Sequence, residues 1–156
     1  MKVATRKASA KESFTTSFAV EKSPQEVFAA INDVRAWWTG EVKGRSAKVG
    51  DEFTFRYEDL HTSRQRVVES LPGERVVWLV TEANLSFAEE PAEWVGTRLV
   101  FEISKQGRKT ELRFTHEGLA PDCECYEACH DGWTFYIQRS LRSLILTGKG
   151  EVASFG

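Results

Sequence analysis

The first apolar positions along the chain predict a strand followed by two short helices. In residues 13–20, phenylalanine and valine are interspersed with serine, threonine and other small residues, a composition typical of a strand. A helix start follows at Ser23, Pro24 and Glu26. The Ser23 and Glu26 side chains can cap free N–H groups of the first turn, and Pro24 has no N–H that needs a partner. Residues 34–38 predict a second short helical turn.

From residue 41 to about residue 117, apolar side chains recur at every second position. This period predicts strands with one buried and one solvated face. Three runs show it most clearly, at 52–58, 98–103 and 111–116, and in the second run the solvated positions are predicted to be Arg98, Val100 and Glu102. The turn-forming residues between runs are Gly50-Asp51, Pro72-Gly73 and Gly107. The pattern therefore predicts an antiparallel meander of five or six strands.

The last third of the chain predicts one long helix over residues 123–147. Its apolar stripe consists of Tyr126, Cys129, Trp133, Ile137, Leu141 and Leu144. Gly148 is placed to end the helix in a left-handed conformation. A helix of this length spans roughly 37 Å, which is enough to cross a whole curved sheet.

This order of elements predicts a single α+β domain over residues 13–150, with six or seven strands wrapped around the C-terminal helix. Residues 1–12 and 151–156 are expected to be loosely held tails. One helix cannot fill the concave side of a strongly curved sheet. The remaining space is either packed with large aromatic side chains or left as a cavity.

Several stretches resemble the START-like (SRPBCC, birch-pollen-allergen-like) superfamily with its helix-grip fold, and within it the branch named activator of heat-shock protein 90 ATPase homologue. The matching residues are Ser23-Pro24-x-x-Val27-Phe28, Trp37-Trp38, Val49-Gly50-Asp51-x-Phe53, the hairpin from Pro72 to Trp78 and the block from Cys125 to Gly150. The resemblance implies a fold found among lipid carriers, hormone receptors and polyketide cyclases. It carries over no catalytic residue.

Composition narrows the classes of function. With 156 residues, 21 Lys and Arg against 23 Asp and Glu, and a net charge of -2, the chain is not a generally basic nucleic-acid binder. No apolar run approaches the ~20 residues of a membrane span, and the first residues lack the apolar block of a secretory signal. Three cysteines without such a signal favour a reducing, cytoplasmic setting. No glycine-rich nucleotide or flavin motif is present, so no cofactor is predicted.

The inward aromatic side chains are the main candidate site. They are interpreted either as a packed core or as the lining of a pocket for a small apolar or aromatic ligand, with Tyr57, His116 and Tyr136 as its polar groups. The candidate ligand-binding residues are Trp38, Phe53, Phe55, Tyr57, Trp78, Phe101, Phe114, His116, Trp133, Tyr136 and Ile137.

His116 and the cysteines offer alternative chemistry. His116 lies at the end of an inward-facing run. It is interpreted as a structural residue held by hydrogen bonds, or alternatively as a general acid–base group of a cyclase or hydratase. Cys123, Cys125 and Cys129 lack the usual metal-ligand spacing, so no metal site is predicted and buried, inert thiols are expected. A reactive thiol is the other possibility, opposed by the neighbouring acidic side chains.

The segment 83–96 is longer than a tight hairpin requires. It is interpreted as a solvated acidic loop, or alternatively as a lid that folds Phe87 and Trp94 over the pocket. Three functions remain open: binding of a small apolar molecule, stimulation of a heat-shock chaperone's ATPase, and catalysis through His116. The protein is expected to be a monomer or a homodimer without nucleic-acid or membrane partners.

Overall fold

A computed structural model describes residues 14–38, 40–57, 61–85, 95–118 and 126–151, without the side chains of 61, 85 and 126–129. Both predicted tails, apart from Glu151, lie outside these ranges. The greater part of the predicted lid, including Phe87 and Trp94, also lies outside them.

In the described part of the chain, seven strands form one antiparallel sheet. They follow the order β1-β7-β6-β5-β4-β3-β2, so that β2 to β7 are a meander and β1 joins it beside β7. This confirms the predicted six or seven strands. The strands are β1 (Phe14–Val20), β2 (Glu41–Gly44), β3 (Glu52–Tyr57), β4 (His61–Leu71), β5 (Arg75–Leu85), β6 (Arg98–Gln106) and β7 (Lys109–Glu117).

The hairpin of β4 and β5 bends the sheet. Its two strands of 11 residues each join through a turn in which Gly73 has a φ of 74°, a conformation that favours glycine. Their register shifts twice, between Arg64 and Gln65 and between Val67 and Glu69. Such irregularities bend a strand and increase its twist, which helps this sheet to curve around a helix.

Two short helices follow β1, as the sequence predicts. They are α1 (Pro24–Asn32) and α2 (Val34–Trp37). Ser23 Oγ accepts a hydrogen bond from the Glu26 N–H at 3.1 Å, and the Ser23 N–H donates to Glu26 Oε1 at 3.0 Å. This reciprocal pair confirms the predicted capping residues.

The C-terminal helix, residues 126–147, changes geometry in its middle. It consists of α3 (Tyr126–Trp133), a π-helical segment (Thr134–Leu141) and α4 (Arg142–Thr147). The backbone N–H of Arg142 donates to the carbonyl of Ile137, five residues before it. The wider turn keeps positions four residues apart on one face. The buried apolar side chains are Trp133, Ile137, Leu141 and Ile145.

The end of this helix also follows the sequence pattern. Gly148 has a φ of 87°, and its N–H donates to the Leu144 carbonyl at 2.9 Å, as expected of a helix-ending glycine. Leu144 in the predicted stripe is only partly buried, whereas Ile145 is 8% exposed. No described helix combines the length and the apolar character that crossing a membrane would require.

One strand position departs from the predicted alternation. Val100 in β6 was expected on the solvated face, but it is only 3% exposed. It lies opposite Val77 of β5, which is 2% exposed. Both strands are inside the sheet, where directly opposed side chains are close enough to cover each other. The outer face therefore carries a small buried apolar pair that is separate from the main core.

Candidate functional site

The inner face of the sheet brings together the predicted aromatic side chains. Phe53 and Phe55 lie on β3, Trp78 on β5, Phe101 on β6 and Phe114 on β7, and each is at most 4% exposed. Ring centroids are 4.9 Å apart for Phe53 and Trp78, and 4.8 Å for Trp78 and Phe101. The period-two pattern therefore identified a continuous aromatic floor across four strands.

Trp38 covers one end of this floor. It immediately follows α2, and its ring lies 4.7 Å from Phe55 and 6.0 Å from both Phe53 and Trp78. Its neighbour Trp37, which was not among the candidate residues, is also buried and stacks at 6.5 Å on Trp78. The turn of α2 thus brings both tryptophans into the site.

The C-terminal helix supplies the opposite wall. Trp133 lies 4.5 Å from Phe114 and 5.9 Å from Trp38, and Tyr136 lies 6.1 Å from Trp38, measured between ring centroids. Ile137 is fully buried, whereas Tyr136 is only half-buried. Tyr57 is likewise half-buried and packs against the core. The aromatic cluster therefore extends from the buried centre of the sheet towards the surface.

His116 is fully buried and is bonded at both ring nitrogens. Its Nδ1 accepts a hydrogen bond from the indole N–H of Trp133 at 3.0 Å, and its Nε2 lies 2.9 Å from Thr97 Oγ1. An indole nitrogen can only donate, so Nδ1 carries no proton and the neutral ring holds its proton on Nε2. This geometry matches the structural interpretation of His116, because proton transfer at Nδ1 would first have to break the Trp133 bond.

A polar pair on β4 was missed by the sequence analysis. Ser63 and Gln65 are 5% and 0% exposed, and they lie opposite Phe55 and Phe53 of β3. Gln65 Nε2 donates to Ser63 Oγ at 2.6 Å. The run around these residues is polar at consecutive positions, so its alternation does not reveal which residues face inward. Pairing this strand with β3 in the correct register would have placed both residues opposite inward-facing phenylalanines, and this was the signal that could have found them.

Within the described ranges, three polar atoms in this region have no hydrogen-bond partner. They are the indole nitrogens of Trp38 and Trp78 and the Oε1 atom of Gln65. A buried polar atom without a partner is rare in a folded protein and costs free energy. The aromatic floor is mostly apolar, but the region around it therefore contains a few hydrogen-bonding atoms without partners.

The described residues also line two shallow depressions. One, of about 340 Å³, borders the strands β2 to β5, and the other, of about 450 Å³, borders β4 to β7. Charged side chains line both. In the second, Arg75 contacts Glu102 at 2.8 Å and, beside it, Glu69 at 3.0 Å, and the bond to Glu69 raises the pKa of the guanidinium. Of the candidate ligand-binding residues, Phe55 alone is among the residues that line these two depressions.

The predicted thiol chemistry is not addressed by the described residues. Cys123 and Cys125 lie outside them, as does the side chain of Cys129. The expectation of buried, inert thiols stays a prediction.

Solved structures with the same fold are numerous, and three illustrate the likeness. The Aha1 dimer from Colwellia psychrerythraea matches with a TM-score of 0.72 and 23% identity, over 88% of this chain and 98% of that chain. Protein SSP2350 from Staphylococcus saprophyticus matches with a TM-score of 0.67 and 14% identity, over 91% and 97%. Protein CV1439 from Chromobacterium violaceum matches with a TM-score of 0.63 and 19% identity, over 86% and 97%.

These likenesses establish the helix-grip fold. No protein of curated function matches the chain. A family model does match, over residues 21–145, which is most of the domain described above. The chain belongs to the family of Activator of Hsp90 ATPase homolog 1-like proteins, as its resemblance to that branch of the START-like superfamily predicted.

Proposed function

We propose that this protein binds a small apolar or aromatic molecule between the sheet and the C-terminal helix. The observation that carries the proposal is the aromatic cluster, which runs from the fully buried Trp78 and Phe101 to the half-buried Tyr57 and Tyr136. Aromatic side chains with a few polar groups are the usual lining of small-molecule sites.

The helix geometry supports the same location. The π-helical segment Thr134–Leu141 carries Tyr136 and Ile137, two of the candidate lining residues. Short π-helical turns are rare and occur frequently at functional sites. Opening of this segment away from the sheet would give a ligand access to the aromatic floor.

A neutral fluorescent probe, N-phenyl-1-naphthylamine, tests the proposal. We expect its emission to rise on titration with the protein, and the affinity to fall several-fold in Tyr136→Ala, which removes a lining ring. Leu146→Ala is the matched control, because Leu146 lies on the same helix but is 45% exposed. Its affinity should equal that of the wild type.

Native mass spectrometry of freshly purified protein gives a second readout. A defined organic mass that is absent from the denatured spectrum would support ligand binding and reveal the ligand class. Absence of probe binding up to the solubility limit, together with no additional mass, would contradict the proposal.

The family description favours a second candidate, stimulation of a heat-shock chaperone's ATPase. This function requires a surface for a large partner, as a monomer or as a homodimer of the kind named for the Colwellia relative. The test is the ATPase rate of the Hsp90 from the same cell, with and without this protein. An unchanged rate at saturating concentration would remove this candidate.

A further inference from the structure

The three residues that carry unpartnered polar atoms lie around one side chain, Phe53. The rings of Trp38 and Trp78 are 6.0 and 4.9 Å from the Phe53 ring and 6.0 Å from each other. Gln65 lies directly opposite Phe53 on the neighbouring strand, and Val67, two residues further on, lies opposite Trp78. The three residues that carry these atoms are thus neighbours where β3, β4 and β5 adjoin α2.

These groups differ from the other buried polar side chains of the described residues, which all have partners. Thr110 donates to the Lys22 carbonyl, His116 is bonded to Trp133, and Ser140 donates to the Trp37 carbonyl. The fourth unpartnered atom, Asn32 Oδ1, belongs to a residue of intermediate exposure at the end of α1.

The Gln65 carboxamide donates through Nε2 to Ser63 Oγ, which leaves its Oε1 atom as an acceptor without a partner. The indole nitrogens of Trp38 and Trp78 are donors in any arrangement. A group that satisfied both kinds of atom would have to accept from an indole N–H and donate to the Gln65 oxygen, as a hydroxyl does.

The surrounding charge limits the kind of oxygen. Every buried polar side chain in the described ranges is uncharged: Ser63, Gln65, Thr110, Ser140 and the neutral His116. A carboxylate placed beside Gln65 would lose its hydration without gaining a buried cationic partner, which is strongly unfavourable. An uncharged hydroxyl group could be bonded at far lower cost.

We propose that Trp38, Gln65 and Trp78 form a hydrogen-bonding subsite for an uncharged hydroxyl group on an otherwise apolar ligand. This inference rests on the proposed ligand-binding function and specifies its ligand class as phenols and alcohols. The aromatic floor holds the body of the ligand, and the subsite orients it and selects against hydrocarbons and carboxylates.

A matched set of probes tests the subsite, using the 156-residue chain and isothermal titration. We expect 2-naphthol to bind about five- to tenfold more tightly than naphthalene, the effect of one net hydrogen bond, and 2-naphthoate to bind least. In Gln65→Met the preference for 2-naphthol over naphthalene should fall severalfold, while naphthalene affinity is retained.

The matched control is Gln106→Met. Gln106 contacts the serine two residues before it, Ser104, just as Gln65 contacts Ser63, but it is exposed at the end of β6. This variant should keep the full preference for 2-naphthol. Trp78→Phe provides a second test should Gln65→Met fail to fold, and it should also reduce the preference.

Indole N–H resonances give an independent readout. The signals of Trp38 and Trp78, assigned through their phenylalanine variants, should move downfield with 2-naphthol and remain in place, or move differently, with naphthalene. Equal affinities of naphthalene and 2-naphthol, or unmoved indole signals, would overturn the subsite while leaving the ligand site intact. If neither probe binds, the proposed function fails and this inference fails with it.

Discussion

At the scale of single residues, Ser23 and Glu26 stabilise the start of α1 through a local capping interaction. Hydrogen bonds from Ser23, first from its backbone N–H and then from its side chain, hold the pKa of the Glu26 carboxyl below its ordinary value of 4.5. Ionised Glu26 therefore stabilises the fold above that value, and the contribution is lost as the pH falls through the lowered pKa. Both residues were recognised from spacing alone, because a capping box spans only four positions.

Replacing Glu26 with glutamine tests this contribution. Glutamine keeps an acceptor oxygen but loses the charge, so we expect Glu26→Gln to unfold at lower urea concentration at neutral pH. The difference from the wild type should disappear below the lowered pKa. Glu21→Gln is the control, since it changes the same charge outside the capping box. A difference that persisted unchanged into acid would contradict the assignment.

At the scale of elements, the C-terminal helix is attached to α2 through Ser140 and Gly150. Ser140 Oγ donates to the Trp37 carbonyl at 2.7 Å and accepts from the Glu151 N–H at 3.0 Å. Gly150 lies so close to α2 that a Cβ atom would overlap the Ala36 carbonyl oxygen. These contacts hold the two tryptophans that follow Ala36 against the aromatic floor.

Gly150→Ala should therefore destabilise the protein by about 1–3 kcal/mol, the usual cost of overpacking. Gly132→Ala is the opposite case: Gly132 lies in α3 with open space around its Cβ position. Here alanine should stabilise by about 0.5–1 kcal/mol, because it favours the helix. Thermal unfolding of both variants gives the comparison. Equal effects at the two glycines would show that close approach to α2 is not the cause.

At the scale of the whole molecule, the bond between Trp133 and His116 joins the helix to the sheet. It links α3 to β7, and both partners are buried. Removing the donor leaves His116 Nδ1 without the indole N–H inside the core. We expect Trp133→Phe to lower the free energy of unfolding by about 1–3 kcal/mol.

A double-mutant cycle with His116→Leu isolates this bond. The two changes should be non-additive by about 0.5–3 kcal/mol, as found for contacting pairs. Additive effects would mean that Trp133 stabilises the protein only through packing of its ring.

The sequence predicted much of this architecture because its signals are local. The alternation in β3, β6 and β7 identified Phe53, Phe101 and Phe114, and the capping residues identified α1. Val100 and Gln65 could not be placed in the same way. Val100 is buried together with Val77, its partner on the neighbouring strand. Gln65 faces inward on a strand that has polar residues on both faces around it.

What the sequence by itself determined is the fold and the aromatic composition of its interior, since periodicity and capping depend on neighbours along the chain. Only the tertiary structure decided the tautomer of His116 and the placement of Trp38, Gln65 and Trp78 around Phe53. Those features depend on residues distant in sequence, such as Trp133 with His116 and Trp38 with Trp78. Whether a hydrogen bond forms depends on whether two such residues come together in the folded protein, and a local sequence pattern does not encode this.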